Sequence, residues 1–239
     1  MNNYHLPIIL GLAATVMVSV PLPAQAQAKV YREISGKESI RFDPAGLAAL
    51  ESLGLSLASV ESTTTPHPGF SYAWDLEPPS LGTTNYTFLY DPETNFYAPL
   101  TGPEKFLGTV VFNVDTSKLN FPSQLEFKDF IIDFDENFNF TVESEGLSLF
   151  TVASSGLPTF DLENNTWSLQ GIELAVSQEF SDFLVAAGAS QSTVGLKLVE
   201  AQGERGFVEV TATSVPEPIS TLAIFAATGT ALAISKRRS

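Results

Sequence analysis

The residues spaced for chemistry are densest in DFIIDFDENFNF, where Asp133, Asp135, Asn137 and Asn139 fall at alternate positions. Oxygen ligands at every second residue open the calcium loop of an EF-hand, so these four are the candidate calcium ligands of the chain. The pattern then departs from that loop: Phe138 stands where a glycine must make the sharp turn, and Ser144 where a bidentate glutamate is required. A strand-turn-strand with solvated carboxylates, turning at residues 135–137, accounts for the same letters. Calcium is the only cofactor the sequence suggests, and no metal site is assigned.

Trp74 and Trp167 are the candidates for contact with a ligand, each near a polar neighbour, Asp75 or Asn165. An exposed indole can stack on a sugar ring, which would make a matrix polysaccharide the partner; an interior or rim tryptophan is the alternative. The 18 phenylalanines mostly alternate with polar residues, the spacing of a core face rather than of a binding platform.

Catalytic chemistry finds few carriers. The chain has no cysteine, which removes disulfides, thiolate metal sites and a cysteine nucleophile. His5 falls in the apolar N-terminal segment, and His67 sits between Pro66 and Pro68 in TTTPHPGF, a loop with no G-x-S-x-G elbow beside it. One histidine supports neither a multi-histidine zinc site nor an H-E-x-x-H helix. A secreted glycoside hydrolase would need two carboxyls about 5 to 10 Å apart, one with a raised pKa, and letters show neither. No catalytic residue is assigned, and the leading expectation is a protein that is not an enzyme.

The two ends of the chain are built differently from its body. MNNYHLPIILGLAATVMVSVPLPAQAQA carries an uncharged apolar stretch followed by small residues spaced A-x-A at Ala24, Ala26 and Ala28, the layout of a secretory signal peptide at residues 1–28. A retained membrane helix is the competing reading, against which stand Pro7, Pro21 and Pro23. At the other end, residues 219–234 are uncharged and mostly apolar, about 24 Å long as a helix against a hydrocarbon core of about 30 Å. Lys236, Arg237 and Arg238 follow at once and would hold that tip on the cytoplasmic side. Pro216 and Pro218 keep residues 215–218 extended before the apolar span.

Val215, Pro216, Glu217 and Pro218, then the apolar span, then the three cations resemble the PEP-CTERM sorting signal of bacteria, a resemblance confined to about the last 25 residues. It implies an exosortase, a membrane cysteine peptidase, as partner, with Pro216, Glu217 and Pro218 as the recognition element and Lys236, Arg237 and Arg238 as the stop signal. It also implies transient insertion in the inner membrane, then removal of the tail and delivery to the cell surface or extracellular matrix. A plain tail anchor is the alternative.

What lies between, residues 29–214, is expected to be a single domain. The signal segment holds no Lys, Arg, Asp or Glu and the tail holds Lys236, Arg237, Arg238 and Glu217, so setting both aside takes the formal charge from −15 to about −17. Such a field argues against nucleic acid, whose phosphates are held by Lys and Arg, and favours solubility.

From Phe70 onward, short runs rich in Val, Phe, Tyr and Thr are separated by Gly, Pro, Asn and Asp, the pattern of an all-β domain. NYTFLY and FYAPL flank DPETN as a hairpin, KFLGTVVFNVD alternates with Phe106, Gly108, Val110, Phe112 and Val114 on one face, and VGLKLVEA with GFVEVTA makes a second hairpin across AQGERG. Two helices interrupt the series. One starts at Asp43 and Pro44 and stops near Gly54; the other starts at Ser177 and is capped by Gly188. The expected fold is mainly β, a two-sheet antiparallel sandwich of jelly-roll type with two short helices, though a barrel reads similarly. The expected function is delivery of a β-rich domain to the envelope or matrix, with a carbohydrate- or calcium-dependent binding module as the alternative.

Overall fold

Fourteen residues, Lys29–Phe42, make the first strand, β1, of the computed structural model, which describes residues 28–210. Asp43 then caps α1 (Pro44–Leu53): its Oδ1 accepts from the Gly46 N–H at 2.9 Å, Pro44 fills a position that needs no donor, and Gly54 at φ 108° takes the left-handed stop. β2 (Leu55–Glu61) and β3 (Tyr72–Leu76) follow, then β4 (Thr87–Asp91) and β5 (Phe96–Thr101). The DPETN turn joins the last two as the letters predict. Asp91 accepts from the Glu93 N–H and the Thr94 hydroxyl, and Asn95 takes φ 53°.

β6 (Glu104–Val114) shows the expected alternation, with Phe106, Gly108, Val110 and Phe112 buried and Asn113 exposed. β7 (Gln124–Phe134), β8 (Phe140–Ser144) and β9 (Leu147–Ser154) form a meander, the last two joined through Glu145 and Gly146 at φ 52° and 82°. β10 (Thr159–Asp161), β11 (Thr166–Val176), α2 (Gln178–Ala186) and β12 (Lys197–Glu209) complete the described chain. Ser177 caps α2 by accepting from the Phe180 N–H at 3.0 Å. Gly188 stands one residue beyond the expected place: Ala187 is the cap and still right-handed, so the chain turns left-handed only at Gly188, φ 113°.

Every strand pairing is antiparallel, and the sheet closes on itself. The ring runs β1, β3, β6, β7, β8, β9, β11, β12 and back to β1, an eight-stranded barrel in place of the expected two-sheet sandwich. Closure is made by β12, which pairs with β1 along one edge and β11 along the other. That requires β12 to be one continuous strand, so the expected hairpin across AQGERG does not form. Nor does the β structure begin at Phe70, since β1 and β2 precede it.

The barrel differs at its two ends. Along β1, β3 pairs with residues 37–40 and β4 with residues 29–32, while along β11, β9 pairs with residues 173–176 and β10 with residues 166–168. The β4–β5 hairpin and β10 thus replace ring strands at one end and meet there, Tyr90 stacking on Phe160 at 3.9 Å. The opposite end is packed by Phe112, Phe127, Leu149 and Leu198, which leave a cavity of about 40 Å³, and α2 closes it with Phe180, edge-on to Phe127 at 5.4 Å. Such complete burial contributes about 2 to 3 kcal/mol for a phenylalanine. Among the described residues no helix is long and apolar enough to cross a membrane. Ala24, Ala26 and the whole sorting tail, Val215 to Pro218 and Lys236 to Arg238 included, lie outside the described residues, and Ala28 is the first within them.

Candidate functional site

In β12 the residues Ala201, Gly203, Arg205 and Phe207 are buried, while Gln202, Glu204 and Gly206 between them are less so. Strict alternation therefore turns the Arg205 guanidinium into the barrel, where it is 2 % exposed. In β1 the register shifts between Glu33 and Ser35, and this irregularity lets two residues an odd number apart, Glu33 and Glu38, both turn inward. Glu104, the first residue of β6, supplies a third buried carboxyl. Gly203 makes room for the assembly: a Cβ there would lie 2.9 Å from both Arg205 Nη1 and Glu38 Oε2.

Arg205 uses each of its nitrogens. Nε donates to Glu104 Oε1 at 2.5 Å, Nη2 to Glu38 Oε2 at 2.8 Å, and Nη1 to the carbonyls of Lys37 at 2.7 Å and Glu204 at 3.2 Å. Its carbon centre lies 4.6 Å from the Phe106 ring centroid and 5.6 Å from that of Trp167. Glu33 Oε2 is 3.8 Å from Nε, outside hydrogen-bonding range.

Three carboxyls share one cation, and they divide into different states. Burial, with Glu104 beside it, drives Glu33 well above the usual carboxylate range, so its proton is retained and donated to Glu104. Burial opposes the charge of Glu104 too, but Arg205 and that hydrogen bond from Glu33 outweigh it and hold Glu104 low. Burial pushes Glu38 up to about 7 against the pull of Arg205. Arg205 keeps its charge: burial works against it, and Glu104, Glu38 and Glu33 more than compensate. Tyr86 and Tyr97, whose hydroxyls hydrogen-bond each other, complete the polar end; burial raises both.

This cluster faces a cavity of about 270 Å³ that is the lumen of the hollow end. All eight ring strands reach it. Glu38 and Ile40 come from β1, Trp74 from β3, Glu104 and Phe106 from β6, and Phe130 and Ile132 from β7. The far wall is Val142 from β8, Val152 from β9, Trp167 and Leu169 from β11, and Ala201 and Arg205 from β12. Apart from the polar cluster and Ser155, its side chains are apolar. Residues 155–158 line it too, and Leu157, 85 % exposed, marks the rim. One buried oxygen of the lining has no partner, Glu38 Oε1.

Both tryptophans read as ligand candidates line this lumen and not the outer surface. Trp74 lies over Gly108, stacks on Phe130 at 4.5 Å and donates from Nε1 to the Glu61 carbonyl at 2.7 Å. Trp167 is buried with Nε1 near Glu33 but not aligned for a bond. The calcium candidates lie apart from it. Asp135 Oδ1 accepts from the N–H of Asn137 at 2.8 Å and of Asn139 at 3.0 Å, and Oδ2 from Asn139 Nδ2 at 2.9 Å. Asp133 sits on β7, its Oδ1 accepting from the Phe134 N–H at 2.8 Å. These contacts build the turn with Phe138 at φ 61°, and no three His, Asp or Glu among the described residues form a metal-holding group. His67 lies in a loop, with Nε2 at 3.2 Å from Glu204 but poorly aligned for a hydrogen bond.

Arg205, Glu33, Glu38 and Glu104 escape a sequence reading because three of them stand in segments that look solvated. The usable signal is in β12: reading AQGERGF as one strand puts Arg205 in phase with Ala201 and Phe207. No protein-family model, curated protein or solved structure matches this chain.

Proposed function

We propose that the chain is an exported binding protein without catalytic activity, its barrel holding one small, mostly apolar molecule and its PEP-CTERM-like tail directing it, through an exosortase, to the cell surface or extracellular matrix. The observation that carries the binding reading is the lumen, to which every ring strand contributes a side chain. Eight strands enclose an interior just wide enough to be filled by side chains or to hold one small ligand. Here the end under α2 keeps only about 40 Å³ and the other about 270 Å³. A dry apolar cavity of roughly 150 Å³ takes benzene, so about 270 Å³ suits a ring with a short chain.

Two other readings fit less well. A glycosidase acid and base must both be free to act on the substrate, whereas the two carboxyls of the lining, Glu38 and Glu104, are both held by Arg205. A polysaccharide platform needs exposed indoles, and Trp74 and Trp167 are buried.

Native mass spectrometry of protein recovered from culture medium and cell surface tests both halves. The expected species starts near residues 27–29, ends near residues 216–218 and carries a non-covalent adduct that leaves on denaturation. A membrane-bound species retaining Lys236 to Ser239 refutes the sorting reading. Protein with no adduct that also fails to take up butylbenzene refutes the binding reading.

A further inference from the structure

The lumen's polar end is short of positive charge. One guanidinium, Arg205, faces Glu33, Glu38 and Glu104. With Glu33 protonated and Glu104 ionised, the buried cluster carries one net negative charge once pH passes about 7 and Glu38 ionises. Most of its donors are engaged, with all three Arg205 nitrogens donating and one of the Tyr86 and Tyr97 hydroxyls spent on the other, while the Trp167 indole Nε1 makes no bond. An acceptor is free, because Glu38, a residue of the lining, has a buried carboxyl oxygen, Oε1, without a partner.

We propose that the molecule held in the lumen is a small apolar amine, its ammonium seated on Glu38 Oε1 and its hydrocarbon part against the apolar wall. An ammonium brings three donors and one positive charge, which satisfies the orphan oxygen and neutralises the cluster in a single step. A carboxylate of the same shape would add a negative charge beside Glu38 and Glu104, and an alcohol satisfies the oxygen but leaves the charge. The cavity of about 270 Å³ sets the size at roughly a dozen non-hydrogen atoms. The inference deepens the binding reading and rests on it.

The test is tryptophan fluorescence, read from Trp74 and Trp167 in the lumen wall, with the processed protein titrated with 4-phenylbutylamine, 4-phenylbutanol, 4-phenylbutyrate and butylbenzene. The amine is expected to bind at least about tenfold tighter than the alcohol, and the acid not at all. Glu38→Gln should abolish the preference for the amine while butylbenzene still binds, which also shows the variant folded. Val152→Phe, which fills the lumen from β9, should weaken all the probes. An amine bound no better than the alcohol, or a preference that survives Glu38→Gln, overturns the amine inference and leaves the binding reading in place. Failure of every probe, butylbenzene included, overturns both.

Discussion

Replacing Glu38 by glutamine should change how stability depends on pH more than it changes stability at any one pH. The Glu38 carboxyl is held up to about 7 in the fold, against 4.5 for the free side chain. A group whose folded pKa is raised contributes stability that is complete below the unfolded value and is lost as pH climbs through the folded one. At 1.36 kcal/mol per unit, and allowing for incomplete titration at the limits, the loss between about pH 5 and about pH 8.5 is about 2 to 3 kcal/mol. Arg205, Glu104 and Glu33 are the charged or titratable groups facing Glu38, and all are kept in Glu38→Gln, as are the surface carboxylates, so their effects largely cancel in the difference. The assay is urea unfolding of both proteins at the two pH values. The native protein should lose about 2 to 3 kcal/mol more than the variant over that interval. Parallel pH profiles would refute the assignment of Glu38 as the group that is costly to ionise.

Arg205→Met removes the one cation from a site with three carboxyls and should cost about 3 to 5 kcal/mol near pH 8; thermal unfolding at lower pH should show a smaller loss, because Glu38 and Glu104 can then take up protons. Gly108→Val drives a side chain into the Trp74 indole, costing about 1 to 3 kcal/mol and shifting tryptophan emission, whereas unchanged emission would mean that Trp74 does not pack there. Asp135→Ala removes the acceptor for three hydrogen bonds of the β7–β8 turn and should lower stability by about 1 kcal/mol. Added calcium should move the melting temperature of neither protein, and a calcium-dependent rise in the native protein alone would restore the metal reading.

The parts of the fold written locally were legible. Asp43 and Ser177 stand where helices start, DPETN makes its turn, and the alternation in β6 shows on the page because the residues buried there from Phe106 to Phe112 hold no charged one. Closure was not legible, since it depends on β1 pairing with β12 across almost the whole described chain, a partnership no local pattern announces. AQGERG resembles a turn because its glycines are read as conformational freedom, whereas Gly203 is there for space beside Arg205 and Glu38. In β1, the buried face holds Glu33 while Ile34 is 41 % exposed, the reverse of what hydropathy predicts. The two tryptophans were picked out as ligand candidates set against an interior or rim place, and both are buried. Their meeting with Glu104 and Arg205, 101 residues apart in the chain, is a property of the closed ring alone.

That ring closes between the strands that emerge first and last. Lys29 Nζ donates to Glu209 at 2.8 Å across a separation of 180 residues, and β1 has no partner on its β12 side until nearly the whole body is available. No stretch ending before β12 can complete the barrel; it would present β1 and β11 as open edges, able to pair with other chains. Pairings so distant in sequence also slow folding. A chain exported end-first would therefore acquire its interior only at the close of translocation, and any molecule destined for the lumen would have to be met on the far side of the membrane.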